Sequence, residues 1–230
     1  MTLLRWLQIS GRELIDALVR GIGTLWRRRT MAAGFLLLVT ALVWMLLPLD
    51  REWLSAVRTA SCEHHVLLRD AAERLSWLGN FWSFNAPLAL SLLLLGWRKN
   101  SARLRRLAII SLAGATLTGS VALVGRGLTG RPRPTAQRAD GFYGPHKSSQ
   151  MQAFPSGHAA SAFGCALPLL FTAPSLGIPV TLVATGIAWS RLYLGRHHPT
   201  DVLVSLLLAG AVAAGLVRWH SQSPTTETAT

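Results

Sequence analysis

The stretch SRLYLGRHHPTD, residues 190–201, lies between two apolar runs and holds two arginines, two adjacent histidines and one aspartate. Two further polar clusters precede it, RGLTGRPRP at 126–134 and FPSGH at 154–158. Together they present Arg126, Arg131, Arg133, His158, Arg191, Arg196, His197, His198 and Asp201. Guanidinium groups are planar, permanently charged and match phosphate oxygens in bidentate fashion, so several of them suit a tetrahedral dianion. Ser156 and Gly157 stand just before a helix expected to begin near His158, and a helix N-terminus offers unpaired N–H groups and a positive dipole to an anion. Gly157 lets the backbone approach a ligand closely, and Ser156 adds a hydroxyl donor. His158, at the mouth of that helix, is placed to give a proton.

Pro199 suits the first position of a helix, which puts Asp201 in the first turn with His197 just before it. A carboxylate bonded to one imidazole nitrogen fixes the tautomer and leaves the other nitrogen as a nucleophile. Two histidines then divide the work, one attacking phosphorus and one protonating the leaving group. The residues alone leave open whether His197 or His198 attacks. Asp140 is the only other carboxylate in these loops. A two-metal phosphatase site calls for more acidic ligands, so the expectation is phosphoryl transfer without metal or cofactor.

What must position these groups is a set of membrane helices. Half of the 230 residues are hydrophobic and only 14% are charged, where a soluble domain carries about a quarter. The net charge of +13 does not point to nucleic acid, because the basic residues flank apolar runs and form no aromatic-interleaved surface. Cys62 and Cys165 lack metal-ligand spacing and read as free thiols. No cleavable leader is expected, since the first apolar run starts at Met31 and more spans follow. Apolar length and flanking residues predict an all-α, six-span bundle: 31–49, about 77–97, 107–125, 158–173, 176–194 and 202–219. An amphipathic helix is expected within residues 1–30, lying on anionic lipid, and residues 220–230 form a polar tail.

Charge orients the bundle. Residues 1–30 carry six arginines, and the segment 98–106 carries five Lys/Arg and no acid. Both are expected on the cytoplasmic side. The segment 50–76 balances four arginines with five acids and is placed outside. Parity then brings 126–157 and 190–201 to the same outer face. Taken singly, an outer arginine is a snorkelling side chain, His64, His65 and His146 are interfacial, and Ser156-Gly157 is a plain helix cap. Three clusters of compatible chemistry on one face outweigh those separate readings.

The motifs also resemble the type 2 phosphatidic acid phosphatase (PAP2) family, which shares a superfamily with the vanadium haloperoxidases. Its signature, Lys-x6-Arg-Pro, Pro-Ser-Gly-His and Ser-Arg-x5-His-x3-Asp, is met by Arg126 to Pro134, Pro155 to His158, and Ser190 to Asp201. Arg126 departs by replacing lysine, which keeps the charge and changes the shape. The resemblance covers about 31–219. It implies that His197 forms a phosphohistidine, that Asp201 orients it, and that His158 is the general acid. Arg126, Arg133, Ser156, Gly157 and Arg191 would cradle the phosphate, while Arg131 and Arg196 fall at variable positions.

The implied function is hydrolysis of a membrane lipid phosphate or diphosphate. Substrates in similar bacterial proteins include undecaprenyl diphosphate, phosphatidylglycerophosphate, phosphatidic acid and the 1-phosphate of lipid A. The implied location is a bacterial-type inner membrane, with both termini cytoplasmic and the site on the outer face. The loop 138–153 is expected to help choose the headgroup. A lipid phosphotransferase using the same phosphohistidine and a non-catalytic anionic-lipid binder or transporter are the alternatives. Oligomeric state cannot be read from the sequence.

Overall fold

The computed structural model describes residues 2–27, 29–60, 66–136 and 138–222. Cys62, His64 and His65, and the tail beyond residue 222, lie outside the described residues. Among those described the chain is all-helical. Helix α1 (Leu3–Arg27) is followed by α2 (Arg29–Leu46), which runs through a 3-10 turn into α3 (Asp50–Ala60). Then come α4 (Val66–Leu78), α5 (Asn85–Arg98), α6 (Ala102–Thr129), α7 (Gly157–Thr172), α8 (Pro174–Tyr193) and α9 (Pro199–Gln222).

Among the described residues four stretches are long and apolar enough to cross a membrane: Ala33–Arg58, Ala102–Thr129, Pro174–Tyr193 and Pro199–Gln222. Helices α7 and α5 are apolar but have only 16 and 14 residues, so a count of six depends on including them. The second expected span, 77–97, is divided. Trp77 and Leu78 close α4, residues 79–84 turn, and α5 begins at Asn85. Asn80 explains the break, because its side-chain amide donates to the Trp77 carbonyl at 3.0 Å and satisfies a terminal acceptor of α4. Pro87 then falls in the first turn of α5, where its missing N–H costs nothing. The segment 50–76, read from sequence as a loop, supplies α3 and α4 on either side of 61–65.

Helix α7 is the centre of the bundle and packs on α6, α8 and α9. Nearly all of its residues from Ala159 to Leu169 are small or apolar, and all are buried. Small residues let backbones approach closely, which replaces the hydrophobic drive that lipid cannot supply. At the α6–α7 contact, a Cβ on Gly164 would lie 2.0 Å from Thr118 Oγ1, and one on Gly114 would lie 2.0 Å from the Gly164 carbonyl oxygen. That carbonyl lacks its usual helical donor because Pro168 stands four residues on. The Thr118 hydroxyl lies 2.6 Å from the Gly114 carbonyl and 2.8 Å from the Ala160 carbonyl, joining the two helices. At the α7–α8 turn a Cβ on Gly177 would reach within 2.2 Å of Leu170 Cα.

Helix α1 docks on α6 and α9 instead of standing apart from the bundle. Trp6 and Ala17 are buried, Glu13 accepts a forked pair of bonds from Arg105 at 2.8 and 3.0 Å, and Asp16 accepts from Trp219 Nε1 at 2.8 Å. Its other face leaves Leu4, Ile15 and Val19 exposed, which fits the amphipathic reading.

This packing predicts that Gly164→Val, by forcing α6 and α7 apart, lowers the melting temperature in detergent by at least about 5 °C. Gly210→Ala is the control. It meets nothing within 4 Å, and the melting temperature should stay level or rise slightly.

Candidate active site

The site forms where four helix ends meet: the last turns of α6 and α8 and the first turns of α7 and α9. Backbone bonds tie the three sequence motifs together. Ala153 N donates to the Arg131 carbonyl at 3.0 Å, and Arg133 N donates to the Gln150 carbonyl at 2.8 Å. Ser156 N donates to the Asp201 carbonyl at 3.2 Å. The Ser205 hydroxyl lies 2.7 Å from that same carbonyl and 2.9 Å from the Ser156 carbonyl. Gly130 ends α6 in the left-handed region at φ 59°, and a Cβ there would sit 1.9 Å from the Gly144 carbonyl oxygen. Only glycine fits that close return of the 138–153 loop.

Every residue expected at the site is at this end of the bundle. Ser156 is the N-cap of α7, fully buried, and its hydroxyl has no hydrogen-bond partner among the described residues. Arg126 reaches across from α6, with Nη1 3.1 Å from where a Cβ on Gly157 would be. The charges of Arg191, Arg126 and Arg133, together with His197, all act on His158. The buried Nε atoms of Arg126, Arg133 and Arg191 likewise lack partners among the described residues. Burial and the nearby charges of Arg196 and Arg126 push the Arg133 guanidinium below its ordinary pKa. A guanidinium still stays charged, so the site holds a local excess of positive charge facing open donor groups.

His197 is buried, with Nδ1 2.7 Å from the Ala153 carbonyl oxygen and 3.5 Å from Asp201 Oδ2. A carbonyl can only accept, so Nδ1 carries the hydrogen and Nε2 keeps its lone pair. The sequence pointed to Asp201 as the direct holder of the tautomer. In the structure Ala153 makes the shorter bond, and Asp201 acts from slightly farther away. Burial lowers the proton affinity of His197, Asp201 partly offsets this, and Arg191 and Arg133 add to the lowering. His198 faces elsewhere: its Nε2 lies 3.3 Å from the Pro132 carbonyl and 3.6 Å from Asp140 Oδ1.

Asp201 has its own supports. Oδ1 accepts from Arg131 Nη1 at 2.6 Å, and Oδ2 accepts from His198 N at 2.8 Å. Arg131, left by the sequence at a variable position, is buried between Asp201 and Asp50, whose Oδ2 is 2.6 Å from Arg131 Nη2. Burial disfavours its charge, but the two carboxylates prevail and raise the Arg131 pKa. Asp50 Oδ1 also accepts from Thr200 N at 2.8 Å, and the Thr200 hydroxyl bonds to Asp50 Oδ2. Asp50 therefore caps α9 from the start of α3.

Asp50, Ser76 and Gly79 escaped sequence reasoning, as did Thr200 and the Ala153 carbonyl. Asp50 did leave a signal, an acid at the outer end of the first apolar run. Ser76, whose hydroxyl is hydrogen-bonded to Arg191 Nη1, and Gly79, where a Cβ would lie 2.6 Å from His158 Cδ2, left none.

Curated relatives share this sequence in part. Over 116 residues the chain is 37% identical to decaprenylphosphoryl-5-phosphoribose phosphatase of Mycobacterium tuberculosis, covering 49% of this chain and 60% of the relative. Over 124 residues it is 27% identical to undecaprenyl-diphosphatase BcrC of Bacillus subtilis, covering 54% and 61%. The matched region thus spans about 60% of the length of these relatives. The fold is similar to a crystal structure of a transmembrane PAP2 type phosphatidylglycerolphosphate phosphatase from Bacillus subtilis. The TM-score is 0.60 at 18% identity, over 85% of this chain and 98% of that one. Long apolar helices in this setting make the chain a multi-pass membrane protein. The PAP2 superfamily model matches residues 106–224, which hold all three motifs and the four helices whose ends converge on His197, and the chain belongs to that superfamily.

Proposed function

We propose that this chain is a membrane lipid phosphatase that works through a phosphohistidine at His197. The observation that carries the reading is the state of His197: its Nδ1 bonds to the Ala153 carbonyl beside Asp201, leaving Nε2 free among the charges of Arg133 and Arg191. A phosphate dianion would relieve the crowding of Arg126, Arg133 and Arg191 and would take hydrogen bonds from Ser156 Oγ and the first N–H groups of α7. Nε2 attacks phosphorus and forms an N–P bond as the P–O bond to the lipid breaks, and His158, kept protonated by the bound dianion that offsets the surrounding arginines, gives that proton to the departing oxygen. Water then attacks phosphorus, His158 takes a proton back, and the N–P bond breaks to release phosphate and restore the imidazole.

The Asp50 and Asp201 carboxylates are committed to Arg131, Thr200 and His198 N, which favours an imidazole-centred reaction. The substrate is a lipid phosphate or diphosphate whose tails stay in the bilayer while its headgroup enters from the side. The names of the relatives, two of which act on polyprenyl-linked phosphates, agree with that class. The basic segment 98–106 and the docked α1 lie at the end of the bundle opposite the site, which supports an outward-facing site and cytoplasmic termini.

The test is phosphate release from a panel of purified lipid phosphates in detergent with a chelator present. Wild-type turnover is expected to survive chelation. His197→Ala is expected to lose at least about a thousandfold in rate while remaining folded. Transfer of label to a second lipid, in place of free phosphate, would assign a phosphotransferase. Binding unchanged by His197→Ala with no turnover in either protein would refute catalysis.

The lowered proton affinity of His197 sets the acid limb of the rate. Protonation removes the Nε2 lone pair, so phosphoenzyme formation falls about tenfold per pH unit below the folded-state pKa. That limb should therefore lie below the ordinary imidazole value of about 6.5, as measured by rapid-quench single turnovers.

Gly79→Ala would press on His158 and on Ile187, whose Cγ2 is 2.8 Å from the new Cβ. The expected result is a kcat for lipid phosphates lowered about tenfold or more with KM little changed. An aryl phosphate, whose leaving group needs no proton, should be much less affected.

A further inference from the structure

The buried network behind His197 contains one cation and two anions. Asp50, Arg131 and Asp201 are each fully buried. The Arg131 guanidinium divides its donors, Nη1 to Asp201 Oδ1 and Nη2 to Asp50 Oδ2, both at 2.6 Å. Thr200, also buried, bonds to Arg131 and to Asp50, with its Oγ1 2.7 Å from Arg131 Nη1 and its N 2.8 Å from Asp50 Oδ1. Asp50 comes from the start of α3, outside every motif that the sequence presents.

One guanidinium cannot neutralise two carboxylates. With both acids ionised the trio keeps a net negative charge, and Asp201 Oδ2 is the atom that turns toward His197, at 3.5 Å. We propose that Asp50 is a positioning residue for the reaction: by sharing Arg131 with Asp201 it keeps Asp201 from being fully neutralised, so that Asp201 retains negative charge against the His197 ring. This inference rests on the reading of His197 as the nucleophile. It assigns Asp50 no contact with substrate.

The other charged or titratable groups facing His197 are Arg133 from the loop after α6, Arg191 from α8 and His158 from α7. The two arginines disfavour a proton on His197, and Asp201 is the group that favours one. A buried imidazole in such surroundings becomes a weak base unless a carboxylate supports it. The electron pair that attacks phosphorus, and the positive charge that the ring acquires on doing so, both need that support. Removing the Asp50 charge gives Arg131 wholly to Asp201 and weakens the field on His197. Removing the Arg131 charge has the opposite effect.

The test uses the purified full chain in detergent with the lipid phosphate that wild type turns over best. Measured are kcat, KM, and the pH of the acid limb of phosphoenzyme formation. Asp50→Asn keeps an acceptor oxygen for Thr200 N, so a role limited to capping α9 would leave the limb in place. The expected result is a limb moved about one pH unit lower, a kcat about tenfold lower and a KM within about threefold of wild type. Arg131→Gln is expected to move the limb higher. The double variant, which restores the original net charge, should return it close to wild type.

Single variants that fold and leave the limb unmoved, or that move it in the same direction, overturn the proposal. If Asp50→Asn is not recovered folded, Arg131→Gln carries the same test with the opposite sign. Loss of both single variants and the double variant from the folded fraction assigns the network to folding alone and likewise overturns it. If wild type releases no phosphate and forms no phosphoenzyme, it is the lipid-phosphatase reading that fails.

Discussion

A guanidinium without water must be held by anions, and Arg131 decides how the rest of this site is arranged. It cannot shed its proton, so its burial obliges the chain to bring carboxylates to it. Asp50 arrives from the start of α3 and Asp201 from the first turn of α9. Meeting that one demand joins the first apolar segment, the loop after α6 and the last helix at a single point. Thr200 closes the arrangement by bonding to Arg131 and to Asp50. Removing Arg131 would leave two buried carboxylates uncompensated, which costs several kcal/mol (about 3–5) where such pairs have been cut.

The geometry that follows is a meeting of helix ends. The N-termini of α7 and α9 and the C-termini of α6 and α8 converge, and each kind of end brings what it naturally carries. The start of α7 offers N–H groups beneath Ser156, and the start of α9 carries Asp201 in its first turn. Arginines close α6 and α8, where cations suit the dipole. The bundle can be narrow enough for these ends to meet because the first part of α7, Gly157 to Ala166, is mostly small residues. Gly114 and Gly164 let α6 and α7 approach with backbone against backbone. The small-residue packing and the cationic pocket are therefore parts of one structure: a thicker α7 would hold Arg126 away from Gly157.

The side of the site away from the motifs is built by the end of α4 and the turn that follows it. Gly79 packs on the edge of the His158 ring, and Ser76 takes one hydrogen bond from Arg191. Both groups would otherwise be free to move in a pocket that holds many unsatisfied donors. Their placement also explains why the second apolar run is interrupted: a continuous helix through 79–84 would carry this backing past the site.

Much of this was legible in the residues. The apolar run lengths located the long helices, Pro199 marked the start of α9, and Ser156 marked the cap of α7. All of these are local rules, in which the identity of a residue and its neighbours within a turn suffice. The spacing of His197 and Asp201 likewise belongs to one turn, and so could be read directly. What could not be read were the partners supplied from far along the chain. These include the Ala153 carbonyl that holds Nδ1 of His197, Asp50 at 81 residues from Arg131, and Gly79 against His158. A backbone carbonyl leaves no mark in a sequence, and a glycine looks alike in an open turn and against a histidine ring. The chain by itself determined which chemistry was available and on which helix ends it would sit. Only the packing of those helices decided which atom holds which, because contacts between distant segments depend on how closely backbones can approach.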